Sequence, residues 1–212
     1  MNVTEAAIAR LRGADPALGR LIDAVGTDWL AEARRPDDLP PTGHFDFLVR
    51  GIAGQQLSTS AARAIFGRLI ARYGGAVPTP EVLLADDPEA LRVAAGLSHA
   101  KVRYLRALAE EVVTGRLVLD ELDALPDEEV ARRLTAVTGI GPWVASLFLM
   151  FELGRPDVVA AGDLGIRQAL RRAHGLDAIP TVAETEAIAE AWRPYRTLAC
   201  EFLWRSLRMS PV

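Results

Sequence analysis

Apolar residues along this chain recur at intervals of three and four, and few segments alternate with period two. That pattern predicts helices almost throughout. Residues 5–12 and 16–25 read as short helices, followed by a Pro-rich connector, Arg35-Pro36-Asp37-Asp38-Leu39-Pro40-Pro41. From Phe45 to Tyr73 a long periodic stretch is interrupted by Gly51 and Gly54, and Ser58 is placed to cap a second helix. Thr79-Pro80-Glu81 and Asp87-Pro88-Glu89 each set a capping side chain before a proline at the first helical position. Gly96 closes the helix of Leu91, and Ser98 opens another that reaches about Thr114 before Gly115.

Further along, Pro126 to Val137 forms an amphipathic helix with Val130, Leu134 and Val137 on one stripe. A turn, Gly139-Ile140-Gly141, leads into an apolar helix over Pro142–Leu153. After Gly154-Arg155-Pro156 comes a short extended stretch, Asp157–Ala161, then helices at about 164–174, 183–191 and 194–209. The prediction is an all-α fold. A weak internal echo is present, since Leu91 precedes Gly96-Leu97-Ser98 by five residues and Leu134 precedes Gly139-Ile140-Gly141 by five. Two helix pairs in one helical protein often look alike without common ancestry.

Composition narrows the class. At 212 residues the chain is one ordinary domain or two small lobes sharing a core. Half the residues are hydrophobic and a quarter charged, as expected of a globular protein and not of a disordered one. Cys200 is the only cysteine, which excludes an internal disulfide framework, a Cys-based zinc site and an iron–sulfur cluster held by this chain. His44, His99 and His174 are scattered without metal-ligand spacing, and Glu152 reads as a capping or pairing residue. The N-terminus lacks the basic start and apolar run of a secretory signal, and the longest nearly apolar stretch, Pro142–Phe151, is too short to span a bilayer. These features predict a soluble, cytoplasmic protein of a reducing compartment, with no membrane partner.

A net charge of −4 gives no hint of nucleic acid by itself, because binding depends on local patches rather than totals. Of 24 basic residues only Lys101 is a lysine, so chemistry through a lysine Schiff base has a single candidate.

Three local features carry chemistry. Two glycines in Gly139-Ile140-Gly141 permit backbone dihedrals closed to other residues and a close approach by another backbone. Free N–H groups at the start of the helix after Pro142 could receive a phosphate, fixing position on a duplex without reading its sequence. A plain αα-corner with glycines for packing explains the same residues. Asp163, after Gly162 at a helix start, suffices as an N-cap, and the helix N-terminus also favours a negative charge there. Such a carboxylate suits a developing positive charge. The aromatics Trp143, Trp192, Tyr195 and Trp204 read as core, or as stacking surfaces where they border a cleft. Trp192-Arg193-Pro194-Tyr195-Arg196 is either a stacking and phosphate-contacting corner or a helix junction.

Taken together, Leu134-x-x-Val137-Thr138-Gly139-Ile140-Gly141-Pro142-Trp143-x-Ala145, then Asp163 twenty-two residues after Gly141, resembles a known motif. It is the helix–hairpin–helix, Gly/Pro-rich, Asp motif of base-excision DNA glycosylases. Gly54-Gln55-Gln56-Leu57-Ser58 and Trp192-Arg193-Pro194-Tyr195-Arg196 are similar to the 3-methyladenine DNA glycosylase II (alkylbase glycosylase) branch. The resemblance spans about Phe45 to Trp204; a lone Gly-Ile-Gly would say little, but four motifs in order are specific.

The resemblance implies a two-lobed helical fold with its active-site cleft between the lobes. Residues 45–153 would be the central lobe with the hairpin, and 1–40 with 156–212 the second; the extra N-terminal β domain of some members is not expected. Asp163 would be the catalytic carboxylate. Thr138, Gly139, Ile140 and Gly141 would hold backbone phosphates. The backbone carbonyls of Thr135, Val137 and Ile140 would hold Na+ or K+ once DNA is bound, with no other cofactor required. Gln55, Gln56, Leu57 and Ser58 would enter the duplex, with Gln56 or Leu57 as the plug. Ser98 and Lys101 are a second DNA-backbone contact, or Lys101 is simply a solvated charge.

By the resemblance, Trp143 and Trp204 match pocket positions, while Leu147 stands where some relatives carry an aromatic, which implies an altered pocket and a shifted substrate range. Strand-cutting relatives place a lysine nucleophile two residues after the second hairpin glycine; that position is Trp143. The implied activity is therefore a monofunctional glycosylase excising 3-methyladenine- and 7-methylguanine-type bases from duplex DNA, as a monomer associated with the nucleoid. The alternatives are a non-catalytic helix–hairpin–helix DNA-binding module, or a glycosylase for deaminated or oxidised bases.

Overall fold

The computed structural model describes residues 3–31 and 43–209, so the Pro-rich connector lies outside the described residues. Twelve α-helices follow in order: α1 (Val3–Ala14), α2 (Pro16–Val25), α3 (His44–Gly54), α4 (Thr59–Arg72), α5 (Pro80–Ala85), α6 (Pro88–Ala95), α7 (His99–Val113), α8 (Asp127–Thr135), α9 (Pro142–Leu147), α10 (Leu164–His174), α11 (Val182–Ala189) and α12 (Arg196–Ser206). Short 3-10 turns occupy Asp28–Ala31, Leu119–Ala124 and Glu190–Trp192. The described residues contain no strand, and none of their helices is long and apolar enough to cross a membrane.

The helix starts follow from local hydrogen-bond chemistry. Side chains of Ser58, Thr79, Asp87, Ser98 and Asp163 each accept an N–H of the first turn, replacing a partner the helix cannot supply. Gly96 closes α6 in the left-handed region, at φ 72°, where glycine carries no steric cost. Gly51 departs from expectation: it does not interrupt α3 but lies inside it. A Cβ there would stand 3.2 Å from Val144 Cγ1, so this glycine marks the close approach of α3 to α9.

The apolar run 142–153 is also different from the single α-helix the pattern predicts. It forms α9 and then a π turn over Phe148–Glu152. An uninterrupted apolar run does not distinguish four-residue from five-residue hydrogen bonding. Residues 157–161, expected as a short extended stretch, belong to no helix or strand. Thr197 substitutes for a strand partner, its Oγ1 accepting from Val158 N–H at 3.2 Å and donating to the Arg155 carbonyl at 2.6 Å.

The chain divides into two compact units. One is Met1–Leu39 with Leu149–Val212. Its centre is α12, buried continuously from Thr197 to Leu203 and packed on α2 and α10. Trp29 meets Phe202 edge-on there, with ring centroids 5.1 Å apart.

The other unit is Pro40–Phe148. Leu48, Val49 and Ile52 of α3 and Leu105 and Leu108 of α7 are fully buried in it, with α5 and α9 packed alongside. Phe148 closes this core against Phe47 and His44, at 5.7 and 5.2 Å between centroids. At its edge the Asp86 carboxylate accepts from Arg72 Nε and Nη2 and from Tyr73 Oη, each at 2.6 Å. The Arg72 guanidinium is the main cause holding Asp86 down at about 2, against its ordinary 3.8. Burial, first, and the Asp86 hydrogen bond push the Tyr73 phenol up to about 12. A carboxyl depressed in the folded state stabilises above its unfolded pKa and loses that contribution as pH falls. Unfolding midpoints measured from pH 5 to pH 2 should therefore fall less for Asp86→Asn than for the native protein. Parallel curves would refute the linkage.

Candidate functional site

In the unit Pro40–Phe148 the hairpin joins α8 to α9. Val137 and Ile140 N–H groups turn back to the Leu134 and Val137 carbonyls, at 3.1 and 3.0 Å. The side chains of Leu134, Val137 and Ile140 are buried and anchor the turn, while Thr138 is exposed. Ile140 can therefore meet an outside ligand only through its backbone. Gly139 has φ 95°, and a Cβ added there would fall 2.1 Å from Tyr104 Cγ. Tyr104, on α7, was not legible as part of the site, because the contact crosses 35 positions of sequence.

The turn between α3 and α4 is tied to this hairpin. Gln55 Nε2 donates to the Gly139 carbonyl at 2.8 Å. Gln56 adopts φ 57°, the one non-glycine residue with positive φ among the described residues, and its side chain is exposed. That left-handed backbone is strained for a residue with a Cβ. Leu57 beside it is 38% exposed. Ser58 caps α4, and Ser98 caps α7 by accepting from Lys101 N–H at 3.2 Å.

Lys101 is engaged within the protein. Its Nζ donates to the Ala53 carbonyl at 2.8 Å, at the end of α3 where helix carbonyls lack partners and a cation is favoured. Partial burial lowers its pKa from the ordinary value. Lys101 thus braces the base of the Gln55–Leu57 turn.

Gly139→Ala is expected to displace Tyr104 or the hairpin and to destabilise the fold by about 1–3 kcal/mol. Urea denaturation followed by circular dichroism measures this; an unchanged midpoint would show that the turn tolerates the Cβ.

Trp143 and Leu147, four residues apart on α9, share one face and are both partly exposed.

In the unit Met1–Leu39 with Leu149–Val212, Asp163 caps α10, its Oδ1 accepting from Ile166 N–H at 2.9 Å. The same oxygen accepts from Trp204 Nε1 on α12 at 3.0 Å. Phe151 lies 5.8 Å from the Trp204 ring, tilted against it.

The corner at 192–196 is a helix junction. Trp192 is fully buried, and Asp157 and Glu190 accept hydrogen bonds from Arg193 and Arg196. Those guanidiniums are committed to carboxylates of this unit rather than held out for phosphate. Cys200 is buried, which pushes its thiol up to about 12 and leaves it unreactive.

A glycine-turned hairpin between buried helix ends, in an all-helical chain with a carboxylate capping a later helix, defines a class that sequence comparison names. The model for the "HhH-GPD superfamily base excision DNA repair protein" matches residues 49–194, and the chain belongs to that family. It is 35% identical over 212 residues to the DNA-3-methyladenine glycosylase 1 of Schizosaccharomyces pombe, covering 99% of this chain and 90% of that protein. The structure of the S. pombe 3-methyladenine DNA glycosylase in complex with abasic DNA is similar at a TM-score of 0.86, covering 97% of this chain and 98% of that one. A DNA-3-methyladenine glycosidase from Bacillus halodurans is similar at 0.75, with 37% identity over 93% of this chain and 87% of that one.

Proposed function

We propose that this protein is a monofunctional DNA glycosylase that hydrolyses the bond between deoxyribose and alkylated bases of the 3-methyladenine and 7-methylguanine type. The observation that carries this is the near full-length likeness to the S. pombe 3-methyladenine DNA glycosylase, whose structure holds abasic DNA.

A base stacked in duplex cannot be attacked, so it is flipped out at a cost of about a few kcal/mol. The exposed turn at Gln56 supports that residue as the plug for the vacated stack, with Leu57 beside it. The backbone of Thr138–Gly141 holds phosphates next to the lesion. Thr135, Val137 and Ile140 offer backbone carbonyls near the carbonyl end of α8, a hard, uncharged oxygen set that fits Na+ or K+. Such an ion would supply a positive charge facing phosphate. Val137 already accepts from Ile140 N–H, which leaves one lone pair for that purpose.

Alkylated purines are cationic and leave readily. As the glycosidic bond breaks, its electron pair stays with the base, which departs neutral, and the sugar becomes oxocarbenium-like. Asp163 stabilises that positive charge and orients the attacking water, whose oxygen bonds to C1′ and whose proton passes to the carboxylate or solvent. Trp143 and Trp204 are the aromatic faces proposed to attract the cationic base, each contact worth roughly 0.5–2 kcal/mol. Trp143 stands where a lysine would be needed for strand cleavage, so the product is an intact abasic site. The protein is read as a monomer acting on the cell's DNA.

Release of free base from methylated duplex, followed by chromatography, tests this reading. Release of 3-methyladenine or 7-methylguanine with strands uncut until alkali is the expected result. Duplex binding without release of either base would overturn it, and would move the search to deaminated or oxidised bases or to a binding module.

A further inference from the structure

We propose that Trp204 acts as a positioning residue for Asp163, and that residue 165 is glycine because this arrangement leaves no room for a side chain. The inference rests on the reading of Asp163 as the catalytic carboxylate.

Two donors from different elements meet the same oxygen. Ile166 N–H reaches Asp163 Oδ1 at 2.9 Å from the first turn of α10, and Trp204 Nε1 reaches it at 3.0 Å from α12. A cap bond alone holds one oxygen near the helix axis but leaves the carboxylate plane free to turn. A second donor from a separate helix fixes that plane. Hydrogen bonds to an ionised acceptor are the stronger kind, so the second contact is more than incidental.

Trp204 is itself held in place. It follows the continuously buried stretch Thr197–Leu203 of α12 and has Phe151 against its ring. Its polar edge is therefore turned to the carboxylate, and only its ring face remains for recognition of a base.

Gly165 supplies the independent observation. Its φ lies outside the left-handed region, so backbone conformation does not call for glycine. A Cβ there would stand 2.9 Å from Asp163 Oδ1, 3.1 Å from Leu207 Cδ1 and 3.6 Å from Trp204 Cδ1. The missing side chain leaves the space in which indole and carboxylate meet. A residue serving only to cap a helix needs no such clearance.

Replacing Trp204 by 3-benzothienylalanine through codon suppression keeps shape and ring face and removes the N–H. Single-turnover excision should slow about tenfold or more, by the same factor for 3-methyladenine and 7-methylguanine. Affinity for a duplex with an abasic analogue should be unchanged. Gly165→Ala should give the same signature, with circular dichroism reporting a native fold.

Full excision rates in the isostere would overturn the assignment. So would a loss confined to one base, which is what a stacking role predicts. Asp163→Asn separates the two levels of inference: an active Asp163→Asn protein refutes the catalytic carboxylate itself. An inactive one beside a fully active isostere refutes only the role of Trp204.

Discussion

Asp163→Asn is expected to lower the single-turnover rate of base release by about 10²–10⁴-fold while leaving fold and DNA affinity in place. Asparagine caps helices about as well as aspartate, so its amide oxygen can still accept from Ile166 N–H and from Trp204 Nε1. The variant therefore removes charge and keeps geometry. The lost quantity is attraction between a carboxylate and the positive sugar, an interaction that strengthens only as the glycosidic bond breaks. Ground-state binding, which depends on the phosphate backbone, should not change. The measurement is base release under single-turnover conditions, paired with anisotropy on an abasic-analogue duplex. Native rates in the variant would remove Asp163 from the mechanism. A parallel loss of DNA binding would assign it a structural role instead.

Trp192→Ala is expected to have the largest effect on stability, about 3–5 kcal/mol. The Trp192 side chain is fully buried, and its Nε1 donates to Asp15 Oδ2 at 2.9 Å. Asp15 Oδ1 meanwhile accepts from Ala17 and Leu18 N–H at 3.0 Å, so one carboxylate caps α2 and anchors a residue 177 positions later. Truncation leaves a cavity and removes the indole donor from Asp15 Oδ2, which His174 Nε2 also approaches at 3.1 Å. Trp192→Phe fills most of the cavity but still lacks the N–H, and should cost about 1–3 kcal/mol. Urea denaturation monitored by circular dichroism reports both values. A change below about 0.5 kcal/mol for the alanine variant would show that this corner contributes little to the unit.

The helical class, most helix starts and the hairpin were legible from sequence because the interactions behind them span few residues. Ser58, Thr79, Asp87, Ser98 and Asp163 each bond an N–H three positions ahead, so the capping residue and its partner lie in one short window. Gly139 likewise declares a positive φ by being glycine between two apolar helix ends. The apolar run after Pro142 does not declare the conformation of its second half, because the same pattern satisfies both an α-helix and the π turn at Phe148–Glu152.

Which side chains become partners was decided elsewhere. Arg193 and Arg196 could have faced phosphate on sequence grounds; Asp157, some 36 to 39 residues earlier, takes their hydrogen bonds. Gln55 finds the Gly139 carbonyl across 84 residues, and Trp204 finds Asp163 across 41. Nothing in the sequence sets Gly165 apart from other helical glycines; Asp163, Leu207 and Trp204 fill the space beside it only in the folded unit. Periodicity and capping record the free energy of one segment with itself. The contacts that orient the carboxylate and tie the turn to the hairpin join distant segments, and they exist only once apolar burial has packed those segments together.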